Sequence, residues 1–176
     1  MSFYITSNEF FYLRKIYDLL KQNNISVTHN KNKSFFKEIN FKIEKNIIKI
    51  SISENQIEIK TPTNINTFYS ELIKLLKSVS VKVNKIEYFP ILNQIDFNNN
   101  KINLGVIHNT IFSNLLLNLK GGVDKVELYK MIWPNDKEIH INKLDTHLTN
   151  LKSTLSDKLK LNLKIYSDNQ NVILSI

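Results

Sequence analysis

Between Ile141 and Leu155 the apolar residues Ile141, Leu144, Leu148, Leu151 and Leu155 recur at spacings of three and four. That spacing puts them on one stripe of an α-helix. It is the cleanest periodicity in the chain, and the residues opposite the stripe are short and polar. Two strand-like stretches follow at 161–166 and 172–176, around a turn-forming Ser167-Asp168-Asn169-Gln170-Asn171. A helix with one apolar stripe must bury it against other elements, so the segments upstream limit the fold.

Two more helices precede it. The first spans about 107–119 and carries Ile111, Phe112, Leu115, Leu116 and Leu119, with Gly121-Gly122 stopping it. Asp124 is the N-cap of the second, and Glu127 three residues on completes a capping box. That helix presents Leu128, Tyr129, Ile132 and Trp133 to the core and ends before Pro134. Before all three, Ile86–Phe89, Ile95–Phe97 and Ile102–Leu104 read as strands, with a hairpin turn at Asn98-Asn99-Asn100. The order of strands, three helices and a hairpin is that of a winged helix-turn-helix.

The N-terminal part alternates differently. Residues 2–7 read as a buried strand, and Thr6 or Ser7 caps a helix with Glu9 returning a capping box to Thr6. That helix carries Phe10, Leu13, Ile16, Tyr17 and Leu20 and closes at Asn23-Asn24. Strands are expected at 25–29, 46–53 and 56–60, with Glu54-Asn55 as the turn between the last two. The segment 31–45 is charged and fits neither pattern. After Thr61-Pro62-Thr63-Asn64 a helix from about Thr67 to Val79 buries Phe68, Leu72, Leu75, Leu76 and Val79. The boundary falls near 80–85, giving domains 1–82 and 83–176. Phe3, Tyr4, Phe10, Phe11, Tyr12 and Tyr17 exceed what one small core absorbs. They read as core first and as a self-association surface second.

Composition narrows the functions. The chain has 176 residues and no cysteine, which excludes disulfides, thiolate zinc sites and a cysteine nucleophile. His29, His108, His140 and His147 have no metal-ligand spacing, and no cofactor or catalytic motif is present, so neither a metal, a cofactor nor an enzyme is expected. No secretory pattern and no membrane-spanning run is visible, so a cytoplasmic location is expected. The net charge is +8, but residues 1–83 carry 13 Lys/Arg against 7 Asp/Glu and residues 84–176 carry 11 against 9. Basicity is therefore concentrated outside the winged segment. Alanine is absent, and Lys, Asn and Ile are abundant, as an AT-rich coding sequence produces.

The stretch from Ile102 onward resembles the DNA-binding domain of OmpR/PhoB-type response regulators. The resemblance rests on Ile102-Asn103-Leu104 before the first helix, on Val123 to Trp133, and on Leu144-Asp145-Thr146-His147-Leu148-Thr149-Asn150-Leu151-Lys152-Ser153-Thr154-Leu155. It implies that the last of these is a recognition helix. Thr149 and Asn150 stand where the family usually has arginines, and the hairpin lacks the family's arginine-glycine, glycine-tyrosine pattern. The only arginine is Arg14, so bidentate reading of guanine by arginine is not available to this domain.

Residues 1–82 resemble that family's receiver more distantly, shortened by at least one strand–helix unit. The paired acids of a receiver are replaced by Ser7-Asn8, and the only Asp before residue 84 is Asp18, inside the first helix. No phosphoacceptor is expected. The fold class implied is an α/β receiver-like domain followed by an α+β winged helix-turn-helix.

The candidate DNA-contacting residues are Lys143, Thr146, His147, Thr149, Asn150, Lys152 and Ser153 on the helix, with Lys164 and Tyr166, beside Ser167, on the hairpin. By periodicity alone the same helix face is an ordinary solvated surface; with the resemblance it is a DNA-contacting one. Two functions follow. One is a homodimeric transcription regulator that binds double-stranded DNA without a phosphorylation switch. The other is an adaptor that keeps the winged fold and binds a protein partner instead.

Overall fold

The computed structural model describes residues 3–23, 25–30, 37–161 and 163–176, apart from the side chains of Phe10 and Phe11. The expected roles of Ser2, Phe10, Phe11, Asn24, Asn162 and residues 31–36 lie outside what is described. The chain divides into two compact units, Met1–Val79 and Ser80–Ile176.

In the first unit the elements are β1 (Phe3–Ser7), α1 (Phe10–Gln22), β2 (Val27–Thr28), β3 (Glu38–Glu44), β4 (Ile47–Ile52), β5 (Asn55–Lys60) and α2 (Ile65–Lys77). They form one sheet in the order β2-β1-β3-β4-β5. β1 is parallel to β2 and β3, whereas β3, β4 and β5 form an antiparallel meander. Strict alternation explains the layering. Ile39, Phe41, Ile48, Ile50, Ile52 and Ile59 are buried, while Asn40, Lys42, Gln56, Glu58 and Lys60 point the other way and are exposed. One face is thus apolar and the other polar, as in antiparallel sheets with one solvated side. Ile16 and Leu20 of α1 and Phe68, Leu72, Leu75 and Leu76 of α2 are buried with the apolar face. On the polar face Lys49 bridges Glu44 and Glu58 across strands.

Strand order 2-1-3-4-5 is one of the doubly wound orders. A doubly wound receiver has helices on both faces, but here the two described helices share one, and tight turns join β3 to β4 and β4 to β5. The turn after β4 is Ser53-Glu54, with Ser53 at φ +55°; Asn55 already pairs with Ile52. Part of the unassigned charged segment is β3, whose alternation lies between charged neighbours. The expected capping box is absent: Thr6 remains in β1 and its hydroxyl donates to Glu38 Oε1 at 3.1 Å. Ser7 Oγ instead accepts from the Glu9 N–H at 3.1 Å. α2 starts at Ile65 because the Asn64 side chain caps it, accepting from Thr67 N–H at 2.8 Å.

The second unit opens with β6 (Val81–Val83), β7 (Ile86–Phe89), β8 (Gln94–Phe97) and β9 (Asn100–Asn103), an antiparallel meander in sequence order. β6 pairs with β7, which puts residues 81–83 in this unit. The β8–β9 turn is only Asn98-Asn99, at φ +47° and +65°. Both residues are left-handed, a conformation asparagine tolerates, and Asn100 pairs with Phe97. Then come α3 (Val106–Leu117), β10 (Val123–Asp124), α4 (Lys125–Ile132), α5 (Ile141–Leu159), β11 (Lys164–Asp168) and β12 (Asn171–Ser175). β12 lies between β10 and β11. The Asp124 cap is present, its carboxylate accepting from Glu127 N–H at 2.9 Å. α5 runs one turn beyond the leucine stripe because Leu159 is buried as well. Leu144, Leu151 and Leu155 pack with Ile111, Phe112, Leu115 and Leu128 in a core that excludes water almost completely. The three helices and the final hairpin come in the order expected from sequence, and β6 and β10 are additional short strands. Among the described residues no helix is long and apolar enough to cross a membrane.

Candidate nucleic-acid interface

The stripe that buries Leu144, Leu148 and Leu151 turns the opposite side of α5 to solvent. Thr146, Thr149, Asn150 and Ser153 are all exposed there. Asn142 joins them at the i, i+4, i+7, i+11 positions set by Asn142, Thr146, Thr149 and Ser153, a repeat that sequence reasoning passed over. The hydroxyls of Thr146 and Thr149 donate to the carbonyls of Asn142 and Asp145, at 2.9 and 3.0 Å. Each hydroxyl hydrogen is thereby occupied, so toward an outside partner the oxygen can only accept.

Beside this face a groove of about 320 Å³ runs between α5 and the C-terminal hairpin. Thr149 and Lys152 line it from the helix, and Tyr166 and Ser167 line it from β11. Three of the nine sequence-predicted residues therefore meet at one concave surface. Lys164 and Tyr166 are exposed on β11, while Ile165 between them is buried. Alternation along the strand accounts for this: the core takes Ile165 and solvent takes its neighbours.

Sequence reasoning also passed over Lys125. It stands at the start of α4, and its ammonium reaches Asp145 Oδ1 at 2.7 Å. Its side chain is 17% exposed and that of Asp145 44%. The pair ties the N-terminus of α4 to the first turns of α5 at the edge of the groove.

Two of the expected residues turn elsewhere. Lys143 Nζ lies 3.0 Å from Asp136 Oδ2 and 4.1 Å from the Trp133 ring centroid. It is committed to the loop between α4 and α5, where cation–π and ionic attraction act together. The Tyr129 hydroxyl donates to the same carboxylate oxygen at 2.6 Å. These two donors hold the Asp136 carboxyl below its ordinary range. His147 packs against Trp133 at 5.5 Å and His108 at 5.7 Å between ring centroids. Burial, followed by the neighbouring His147, lowers the pKa of His108 from 6.5. His147 thus faces α3 and α4 and does not flank the exposed face. Trp133 is half-buried over this cluster, more open than the core position expected of it.

At the end of β1, the Asn8 side chain accepts from Ile43 N–H at 2.8 Å and donates to Ile43 O at 3.0 Å. It works as a clip between β1 and β3. Its neighbour Ser7 is likewise bonded locally, to Glu9.

No protein-family model matches the chain, and no curated protein matches it in sequence. Among solved structures, the chain is similar to the DNA-binding domain of CadC from E. coli at 14% identity and a TM-score of 0.48, over 57% of this chain and 94% of that one. It is also similar to the C-terminal domain of the nisin resistance regulator NsrR, a lantibiotic response regulator, at 20% identity and a TM-score of 0.39. That match covers 54% of this chain and 89% of the other.

Proposed function

We propose that the chain is a DNA-binding transcription regulator of OmpR/PhoB type whose second unit is a winged helix-turn-helix. In this reading α5 enters the major groove and the β11–β12 hairpin lies against the adjoining backbone. The observation that carries it is the groove shared by Thr149 and Lys152 of α5 with Tyr166 and Ser167 of the hairpin. A helix and a wing converging on one concave surface fit a duplex strand and its flanking phosphates.

The roles follow from chemistry. Asn150 and Asn142 are suited to adenine edges, and the methyls of the exposed Thr146 and Thr149 to thymine methyls. Lys152 and Lys164 meet phosphates, with Ser153 and Tyr166 adding hydrogen bonds to the backbone. Lys143 and His147 position the start of α5 through Asp136, Trp133 and His108. Without an arginine in this unit, guanine is poorly read and AT-rich sites are preferred.

The first unit is read as a receiver-derived scaffold that dimerises and takes no phosphate. The parallel pairing of β1 with β2 and β3 supports the ancestry, and the antiparallel β3–β4–β5 meander departs from it. The absence of any Asp but Asp18 from the first 83 residues supports the loss of phosphotransfer. Dimerisation supplies affinity that two or three lysines per domain do not, because linked half-sites raise the effective concentration of the second domain. The adaptor reading is favoured by one observation: Lys125 and Lys143 are consumed by Asp145 and Asp136 and contribute little net charge.

The test is fluorescence anisotropy on AT-rich and mixed duplexes at low salt. The full chain is expected to bind, and the Thr149→Ala/Asn150→Ala/Lys152→Ala variant to bind at least about tenfold more weakly. No binding by the native chain favours the adaptor. Unchanged binding by a folded triple variant refutes the assignment of α5.

A further inference from the structure

The first unit contains a cavity of about 560 Å³ that the DNA-binding reading does not use. It lies between α1 and α2 at the carboxyl-terminal ends of β3 and β5. Buried Ile16, Ile48 and Phe68, with half-buried Leu19 and Ile43, form its walls. The space is open to solvent on one side, so it is a cleft between the helices and the sheet and not an interior void. Its volume falls within the range of small-molecule sites, roughly 300–1,000 Å³.

Its mouth is apolar as well. Tyr12 and Ile65, 47% and 60% exposed, are the exposed large apolar side chains among the described residues of this unit, and both line the opening. Apolar surface gathered at the entrance of an apolar cavity marks a binding groove. Polar groups are few. Asn46 lies in the β3–β4 turn, Thr61 and Thr63 flank Pro62, and Lys15 projects from α1. The Thr61 N–H donates to Asn46 O at 2.8 Å, so the two loops that carry this rim are fixed to each other. Among the described residues of the lining Lys15 is the one that carries a charge, and it is a cation.

We propose that this cavity binds an amphipathic carboxylate, its apolar body between α1 and α2 and its anionic head at Lys15 and the Asn46/Thr61/Thr63 rim. A medium-chain fatty acid has this chemistry. The site is independent of the DNA-binding reading, and its test contains no DNA.

The test is calorimetric titration of the full chain with decanoate, and with decylamine as the cationic counterpart. One decanoate is expected to bind per chain, saturably and with a rise in melting temperature, while decylamine does not bind. Ile65→Asp and Lys15→Glu alter exposed positions and should fold, as circular dichroism will report. Both are expected to weaken decanoate binding at least about tenfold, and Lys15→Arg to retain it. No saturation up to about 1 mM overturns the proposal, as does equal binding of decylamine or indifference to both variants. It is equally overturned if sedimentation shows a native dimer that Ile65→Asp dissociates without decanoate binding to either form, since the groove then seats a second copy.

Discussion

Gly122 has φ +71°, and a Cβ there would lie 2.6 Å from the carbonyl oxygen of Val172 in β12. An alanine would meet both a left-handed backbone and a collision with the hairpin. Gly122→Ala is therefore expected to cost about 2–3 kcal/mol, read from urea unfolding of the second unit. Gly121 has open space around it, and Gly121→Ala should change stability far less. Asp124→Ala removes the α4 cap and is expected to cost about 1 kcal/mol in the same measurement. Residues of this kind were legible because their chemistry is local: a cap and its partner are three positions apart. Lys143 and His147 were not legible. Their angle on the helix lies between the buried stripe and the exposed face, and only the path of residues 134–140 and the position of Trp133 decide which way they turn.

Whole elements were easier to read where one pattern ran unbroken. α5 and the hairpin followed from the leucine stripe and from strand alternation, and α2 from its stripe of Phe68, Leu72, Leu75 and Leu76. β3 was hidden, since Glu38, Lys42 and Glu44 make a half-solvated strand resemble a charged loop. Packing between elements also sets a pH dependence. His108 of α3 packs on His147 of α5, and its pKa is depressed below 6.5, first by burial and then by that neighbour. The folded state therefore binds the proton less readily than the unfolded chain does. Stability from this group is fully present above pH 6.5 and is lost as pH falls through the lower folded value. The melting temperature of the native chain is expected to drop over this window. His108→Gln should flatten that part of the profile; an unchanged profile would assign the acid sensitivity to other groups.

On the scale of the whole molecule the two units have separate sheets and separate cores. Residues 80–176 alone are therefore expected to fold, giving a dispersed amide spectrum, and to bind DNA more weakly than the full chain if the first unit dimerises. Sedimentation equilibrium of the two forms checks the second half of that statement. Charge is the global property that was hardest to interpret from sequence, because the net +8 says nothing of where cations stand. In the second unit Lys125 and Lys143 are ion-paired, whereas Lys152 and Lys164 are exposed beside the groove or on the hairpin. The proposed function requires these two lysines, one on α5 and one on the hairpin, to meet phosphates. It is tested most directly by the slope of log binding constant against log salt for native chain and Lys152→Ala/Lys164→Ala on the same duplex. Linear plots are expected, with the variant shallower by about 0.9 for each lysine removed per bound domain. Parallel plots of equal slope, or no measurable binding at the lowest salt, would contradict it.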